Sequence, residues 1–149
     1  MAHTYTSLLT HIVFGTLNRW RCIDGELRTE LYPYCRAIVR ALKCETIEIG
    51  GGDDHLHLFA RIHPSVALAD FVGTIKSNSS RWAHDKWPRR RFGWQVGYSA
   101  FSVDRGRTRS LSVYIRNQEE HHRTQSFGDE YRDSLRANGI AFDPRYVMD

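Results

Sequence analysis

At 149 residues, 41% of them hydrophobic, the chain is long enough for one ordinary core and too short for a second folded domain. A formal charge of +4 favours polyanionic partners without choosing one, and Cys22, Cys35 and Cys44 lack any CxxC spacing, which excludes a disulfide framework or a zinc knuckle. No apolar run approaches the roughly 20 residues needed to span a bilayer and no secretory leader is expected, so a soluble protein of the cytoplasm or nucleoid, without a membrane partner, is anticipated.

From Tyr5 to Phe14, loose alternation sets Leu8, Ile12 and Phe14 against Leu9, His11 and Val13, the pattern of a central strand. Asp24 can cap a helix whose stripe is Leu27, Leu31, Tyr34, Ile38 and Leu42, with Pro33 expected to kink or restart it. Thr46–Ile49, the glycines Gly50, Gly51 and Gly52 with Asp53 and Asp54, and His55–Ile62 read as strand, turn and strand. Pro64 and Ser65 open a second helix that should run to about Lys86, short of Pro88. A fourth strand is expected over Phe92–Val103 and a third helix from Thr108 to about His122.

The order β, α, β, β, α, β, α predicts an α+β domain: a ferredoxin-like split βαβ antiparallel sheet with helices on one face, plus an extra C-terminal helix carrying Tyr114. Residues 1–149 form one domain in this reading, with 127–149 as a short helix and an arm.

His55 and His57 are two apart on a strand, so both imidazoles leave the same face, close enough to share a cation. Leu56, Leu58, Ala60 and Ile62 account for that strand's burial without them, and the alternative is a plain pair of sheet histidines. Tyr114 and Gln118 lie one helical turn apart, and Gln118 falls in line with Leu111 and Ile115. An amide on an apolar stripe needs a partner, which a hydrogen bond or a cation can supply.

Between Arg81 and Gln95, the cations Arg81, Lys86, Arg89, Arg90 and Arg91 alternate with Trp82, Trp87, Phe92 and Trp94. Such a segment can follow phosphates while rings stack on unpaired bases, although a basic loop with core tryptophans would look similar. Lys76 can donate to a phosphate oxygen from the second helix, or belong to a solvated helix face. His11 can reach the surface of the histidine pair and is grouped with these nucleic-acid-binding candidates; a satisfied structural histidine is the simpler account of it. Glu119, Glu120, His121 and His122 resemble a metal cluster on paper, but successive helical residues diverge by about 100°, so they read mainly as a charged helix end.

The motifs DHLHLF and YIRNQEEHH, with THIVFGTLNR, KSNSSRW and GWQVGYSAFSV between and around them, resemble the single-tyrosine HUH transposases of the smallest insertion sequences and the REP-associated elements. The resemblance implies that His55 and His57 bind Mg²⁺ or Mn²⁺, that Gln118 completes the protein ligands, and that Tyr114 attacks a phosphodiester to leave a 5′-phosphotyrosine and a free 3′-OH. It also implies hairpin-bearing single-stranded DNA as substrate and a homodimer, with some members monomeric. Rival readings are a domesticated, non-catalytic single-strand binder on the same fold, an RNA-binding sheet with exposed aromatics, and a small zinc hydrolase; the last leaves YIRNQ unexplained.

Overall fold

A computed structural model describes residues 2–149. Four strands, β1 (Leu9–Gly15), β2 (Glu45–Gly51), β3 (His55–Arg61) and β4 (Ser99–Ser102), form one antiparallel sheet in the order β2-β3-β1-β4. This is the split βαβ arrangement expected from the element order. Helices α1 (Gly25–Ala41) and α2 (Leu68–Lys86) are the crossovers; α3 (Thr108–Arg116), α4 (Gln118–His121) and α5 (Phe127–Ala137) follow β4.

The strand alternation assigns the two faces of the sheet. Ile12, Phe14, Ile49, Leu56, Leu58 and Ala60 point to one side, where they bury Leu27, Leu31, Cys35, Ile38 and Val39 of α1 and Phe71, Val72, Ile75 and Ala83 of α2. The opposite side carries Leu9, His11, Val13, His57 and Phe59, and it is covered by Ile115 of α3 and by Phe127, Tyr131 and Leu135 of α5. The sheet is thus sandwiched, with the extra helices on the face that the crossovers leave open.

Several boundaries differ from expectation, each for a local reason. Helix α1 runs unbroken through Pro33, because both that residue and Thr29, whose carbonyl it leaves without a helical partner, are exposed. Helix α2 starts at Leu68 rather than at Pro64, after an extended Ala67. The strand expected over Phe92–Val103 pairs only at Ser99–Ser102 and at an isolated bridge between Thr16 and Trp94. Upstream, Phe92 and Trp94 turn into the α1–α2 core, and the Lys76 ammonium takes the carbonyls of Gln95 (2.9 Å), Val96 (3.2 Å) and Gly97, drawing them out of the ladder. The third helix breaks at Asn117 (φ −97°, ψ 25°), which ends α3 and starts α4.

The glycine run is explained by close approach. A Cβ on Gly50 would lie 2.5 Å from the Ile115 carbonyl oxygen, and one on Gly52 2.9 Å from the His55 ring. Helix α3 therefore rests on bare β2 backbone. Gly50→Ala should destabilise the fold by roughly 1–3 kcal/mol, lowering Tm by about 2–12 °C, whereas Gly73→Ala, in exposed helix with nothing within 4 Å, should raise stability by about 0.5–1 kcal/mol. Thermal melts of the two variants beside the parent chain check both signs.

Candidate active site

Register brings the two motif histidines to the middle of the α3–α5 face: His57 pairs with Val13 on β1, and His55 opposes Gly15. Both are 1% exposed. The His55 ring stacks on Phe127 of α5 (centroids 4.2 Å apart, planes 9° apart), and the His57 ring lies 5.1 Å from His11 in the same manner. His55 Nδ1 is 2.8 Å from Asp54 Oδ1, and His57 Nδ1 is 2.8 Å from His11 Nε2. Both Nε2 atoms face inward.

The break at Asn117 turns Gln118 onto this face, where it is 1% exposed, with Oε1 2.8 Å from His55 Nε2. His121 and His122, three and four residues beyond Gln118 and so on its side of the helix, reach the centre as well, which overturns their reading as part of a charged helix end. His121 Nε2 stands 3.1 Å from Glu130 Oε2, and His122 Nε2 stands 3.3 Å from Glu130 Oε1 and 2.8 Å from Gln118 Oε1. Adjacent side chains do diverge, as expected, but a carboxylate from α5 meets each with a different oxygen. Glu119 and Glu120 point away, to Arg28 and Arg123.

Besides those two histidines, sequence reasoning missed Glu130. It is 3% exposed, accepts from the Tyr114 hydroxyl at Oε2, lies 3.0 Å from His57 Nε2 through Oε1, and takes a hydrogen bond from Gln118 Nε2 at 3.2 Å. A signal was present: Phe127, Tyr131 and Leu135 form an apolar stripe, and Glu130 falls between its first two members, the logic already applied to Gln118.

The electrostatics follow from these contacts. Burial opposes ionisation of Glu130, but hydrogen bonds with His122, His57 and Tyr114 outweigh it and hold the carboxyl far below the ordinary carboxylate range. Burial and the bond to Glu130 push the Tyr114 phenol up. Burial lowers His11 to about 3 and also lowers His57; at His122 burial is outweighed by Glu130, and the imidazole is raised. His55, His122 and Glu130 present ligand atoms within 4.8 Å of one another, a set that can hold a metal ion. Concavities of about 370 Å³, beside His11, Arg107 and Tyr114, and about 300 Å³, beside Arg21, Asp54, His55 and His122, open on the two sides of the cluster.

The nucleic-acid-binding candidates are scattered. Arg89 is exposed, Arg81 contacts Asn78 (3.1 Å), and Arg91 lies over the Trp20 ring. Arg90 is tied to Asp24 and Glu26, and the Trp87 ring meets Trp82 edge-on. Trp94 is a core residue: 9% exposed, wedged between Phe14 and Phe92, and donating from Nε1 to Ser79 Oγ at 2.9 Å. No base can stack on it. Lys76 is spent on the three carbonyls of the 95–97 segment, so its role is to fix that segment, and His11 is buried behind His57. The sheet face that an RNA-binding module of this shape would expose is covered by α3 and α5.

The sequence profile of the IS200-like transposases matches residues 4–118. The chain belongs to that family. Membership makes it a transposase, of a family of DNA-cleaving and DNA-transferring enzymes of mobile elements. The transposase for insertion sequence element IS200 from Salmonella typhimurium is 27% identical over 126 residues, 80% of this chain and 82% of its own length. The ISDra2 transposase TnpA of Deinococcus radiodurans is 25% identical over 116 residues, 74% of this chain and 83% of its own. Two solved structures share the fold. A transposase from Deinococcus radiodurans superposes with a TM-score of 0.65 at 22% identity, over 79% of this chain and 96% of that one. A REP-associated tyrosine transposase bound to a REP hairpin gives 0.61 at 14% identity, over 82% and 73%. Among the described residues of this transposase, no helix is long and apolar enough to cross a membrane.

A carboxyl held below its ordinary value stabilises the fold above that value and loses this contribution as pH falls, because the unfolded chain then takes up a proton that the folded chain refuses. Glu130 starts from 4.5 and is lowered. The urea midpoint of the metal-free transposase should therefore fall as pH drops below about 4.5, and Glu130→Gln should remove part of that slope while lowering the midpoint near neutral pH.

Proposed function

We propose that this transposase cleaves and rejoins single-stranded DNA at hairpin-flanked sites, with Tyr114 as nucleophile and His55, His57 and Gln118 as protein ligands of a divalent cation, Mg²⁺ or Mn²⁺. The observation that carries the reading is the meeting of a phenol with the histidine pair: the Tyr114 ring lies 5.9 Å from that of His57, and its hydroxyl reaches the cluster through Glu130. Two strand imidazoles and an amide oxygen, all about 1% exposed and on one face of the sheet, fit such a cation chemically. When bound, the cation polarises a phosphodiester oxygen and offsets the charge that develops at phosphorus.

The chain's own residues do the rest. Tyr114 Oη forms a bond to phosphorus, the bond from phosphorus to the 3′ oxygen breaks, and that oxygen takes up a proton from water and leaves as a 3′-OH. The Tyr114 proton has an acceptor already in contact, the Glu130 carboxylate. Attack by another 3′-OH on the 5′-phosphotyrosine reverses the step and rejoins strands without a nucleotide cofactor. The tyrosine and the histidine pair meet within one chain, so this chemistry does not require the homodimer that the resemblance implies. The hairpin-bound relative supports hairpin DNA as the substrate form.

Incubation with Mn²⁺ and labelled hairpin single strands from the DNA flanking the gene should yield a protein–DNA adduct on a denaturing gel. Tyr114→Phe should abolish the adduct and spare DNA binding. Cleavage at an undiminished rate in that variant would overturn the tyrosine mechanism, and hairpin binding with no adduct in the parent chain would favour a non-catalytic DNA-binding protein.

A further inference from the structure

We propose that His122 and Glu130, both beyond the segment that matches the family, are additional ligands of the cation, making a five-donor centre in which one carboxylate joins the metal site to the nucleophile. The inference rests on the reading of His55, His57 and Gln118 as ligands. It adds Nε2 of His122 and Oε1 of Glu130 to the ion, and leaves Oε2 of Glu130 to hold the Tyr114 hydroxyl beside it.

The spacing of the donor atoms suits one shared ion. Ligand atoms roughly 2.1 Å from one octahedral ion lie about 3.0 Å apart when adjacent and about 4.2 Å apart when opposite. Glu130 Oε1 is 3.0 Å from His57 Nε2, 3.3 Å from His122 Nε2 and 3.9 Å from His55 Nε2. Gln118 Oε1 is 2.8 Å from the Nε2 atoms of both His55 and His122. These separations lie near or between the two values; His57 stands outside the set of His55, His122 and Glu130, whose ligand atoms lie within 4.8 Å of one another, and joins it through Glu130 Oε1, so its ring must move towards the ion on binding.

The ring tautomers suit a shared ion too. His55 Nδ1 faces the Asp54 carboxylate at 2.8 Å, and His122 Nδ1 faces the Gln125 carbonyl oxygen at 2.6 Å. Each partner only accepts, so a neutral ring carries its proton at Nδ1 and bares Nε2. The bare Nε2 of His55 then confronts Gln118 Oε1, and that of His122 confronts both Gln118 Oε1 and Glu130 Oε1. Unless a ring takes a second proton, lone pairs face lone pairs around a buried carboxylate, and a cation among them removes that repulsion. Metal-bound histidines are typically held in this way, by an acceptor on the far ring nitrogen. With three imidazoles in the set, the centre should favour Mn²⁺ over Mg²⁺.

Mn²⁺ binding to the full chain, followed by electron paramagnetic resonance and by the metal-induced rise in Tm, tests the proposal without reference to activity. The expected result is one tight Mn²⁺ per chain, with affinity at least tenfold weaker in both Glu130→Gln and His122→Ala and lost in His57→Ala. Nitrogen hyperfine spectra of the parent chain should count three directly bound imidazoles, a readout that stands even where a variant fails to fold. Unchanged Mn²⁺ affinity in Glu130→Gln and His122→Ala, or a count of two imidazoles, would overturn the extended centre while leaving the His55, His57 and Gln118 reading intact. No Mn²⁺ binding by the parent chain would overturn both.

Discussion

A carboxylate buried among imidazoles organises one whole side of this molecule. Glu130 cannot be solvated where it lies, and an unpaired charge there would cost several kcal/mol, so its neighbours must supply what water would have. They do so from three separate elements: His57 from β3, Tyr114 from α3, Gln118 and His121 from α4, with His122 just beyond it. The C-terminal helix is held to the sheet by this polar knot as much as by Phe127, Tyr131 and Leu135, and the two sets of contacts support each other. The face that binds α1 and α2 needs no such knot, its strand residues Ile12, Phe14, Ile49, Leu56, Leu58 and Ala60 being apolar.

Two-residue periodicity made most of the fold legible. His11, Val13, His57 and Phe59 could be assigned to one face, and Ile12, Phe14, Leu56 and Leu58 to the other, before any contact was known, because a strand admits no other arrangement. Helix α1 was legible from Asp24, whose carboxylate caps it by accepting from the Leu27 amide. Less legible were features decided by tertiary contacts. Phe92–Val103 alternates like a strand, yet its first half follows Lys76 and the core instead of the ladder. The third helix reads as continuous by propensity, and the kink at Asn117 becomes visible only once Gln118 has a buried place to turn towards.

The site was legible in proportion to how local its geometry is. His55 and His57 share a strand and could be paired from spacing alone. Glu130 stands 73 positions from His57 and comes from a helix with no motif, so only its position on an apolar stripe marks it. Isolated residues in the basic segment were hardest to assign, because sequence does not tell an arginine on the surface from one committed to a neighbour. Arg90 is bound to Asp24 and Glu26 at the start of α1, while Arg89 remains exposed.

The contact between Gly50 and Ile115 sets how the tyrosine is aimed. Most helices sit on a sheet through side chains, so their height above it drifts whenever a core residue is exchanged. Here main chain bears on main chain, and the helix that carries Tyr114 takes its height from the strand backbone itself. Repacking elsewhere on the seam can alter how firmly α3 is held without altering how far Tyr114 reaches. The alignment of nucleophile and histidines is thereby insulated from ordinary core variation, at every position except the glycine.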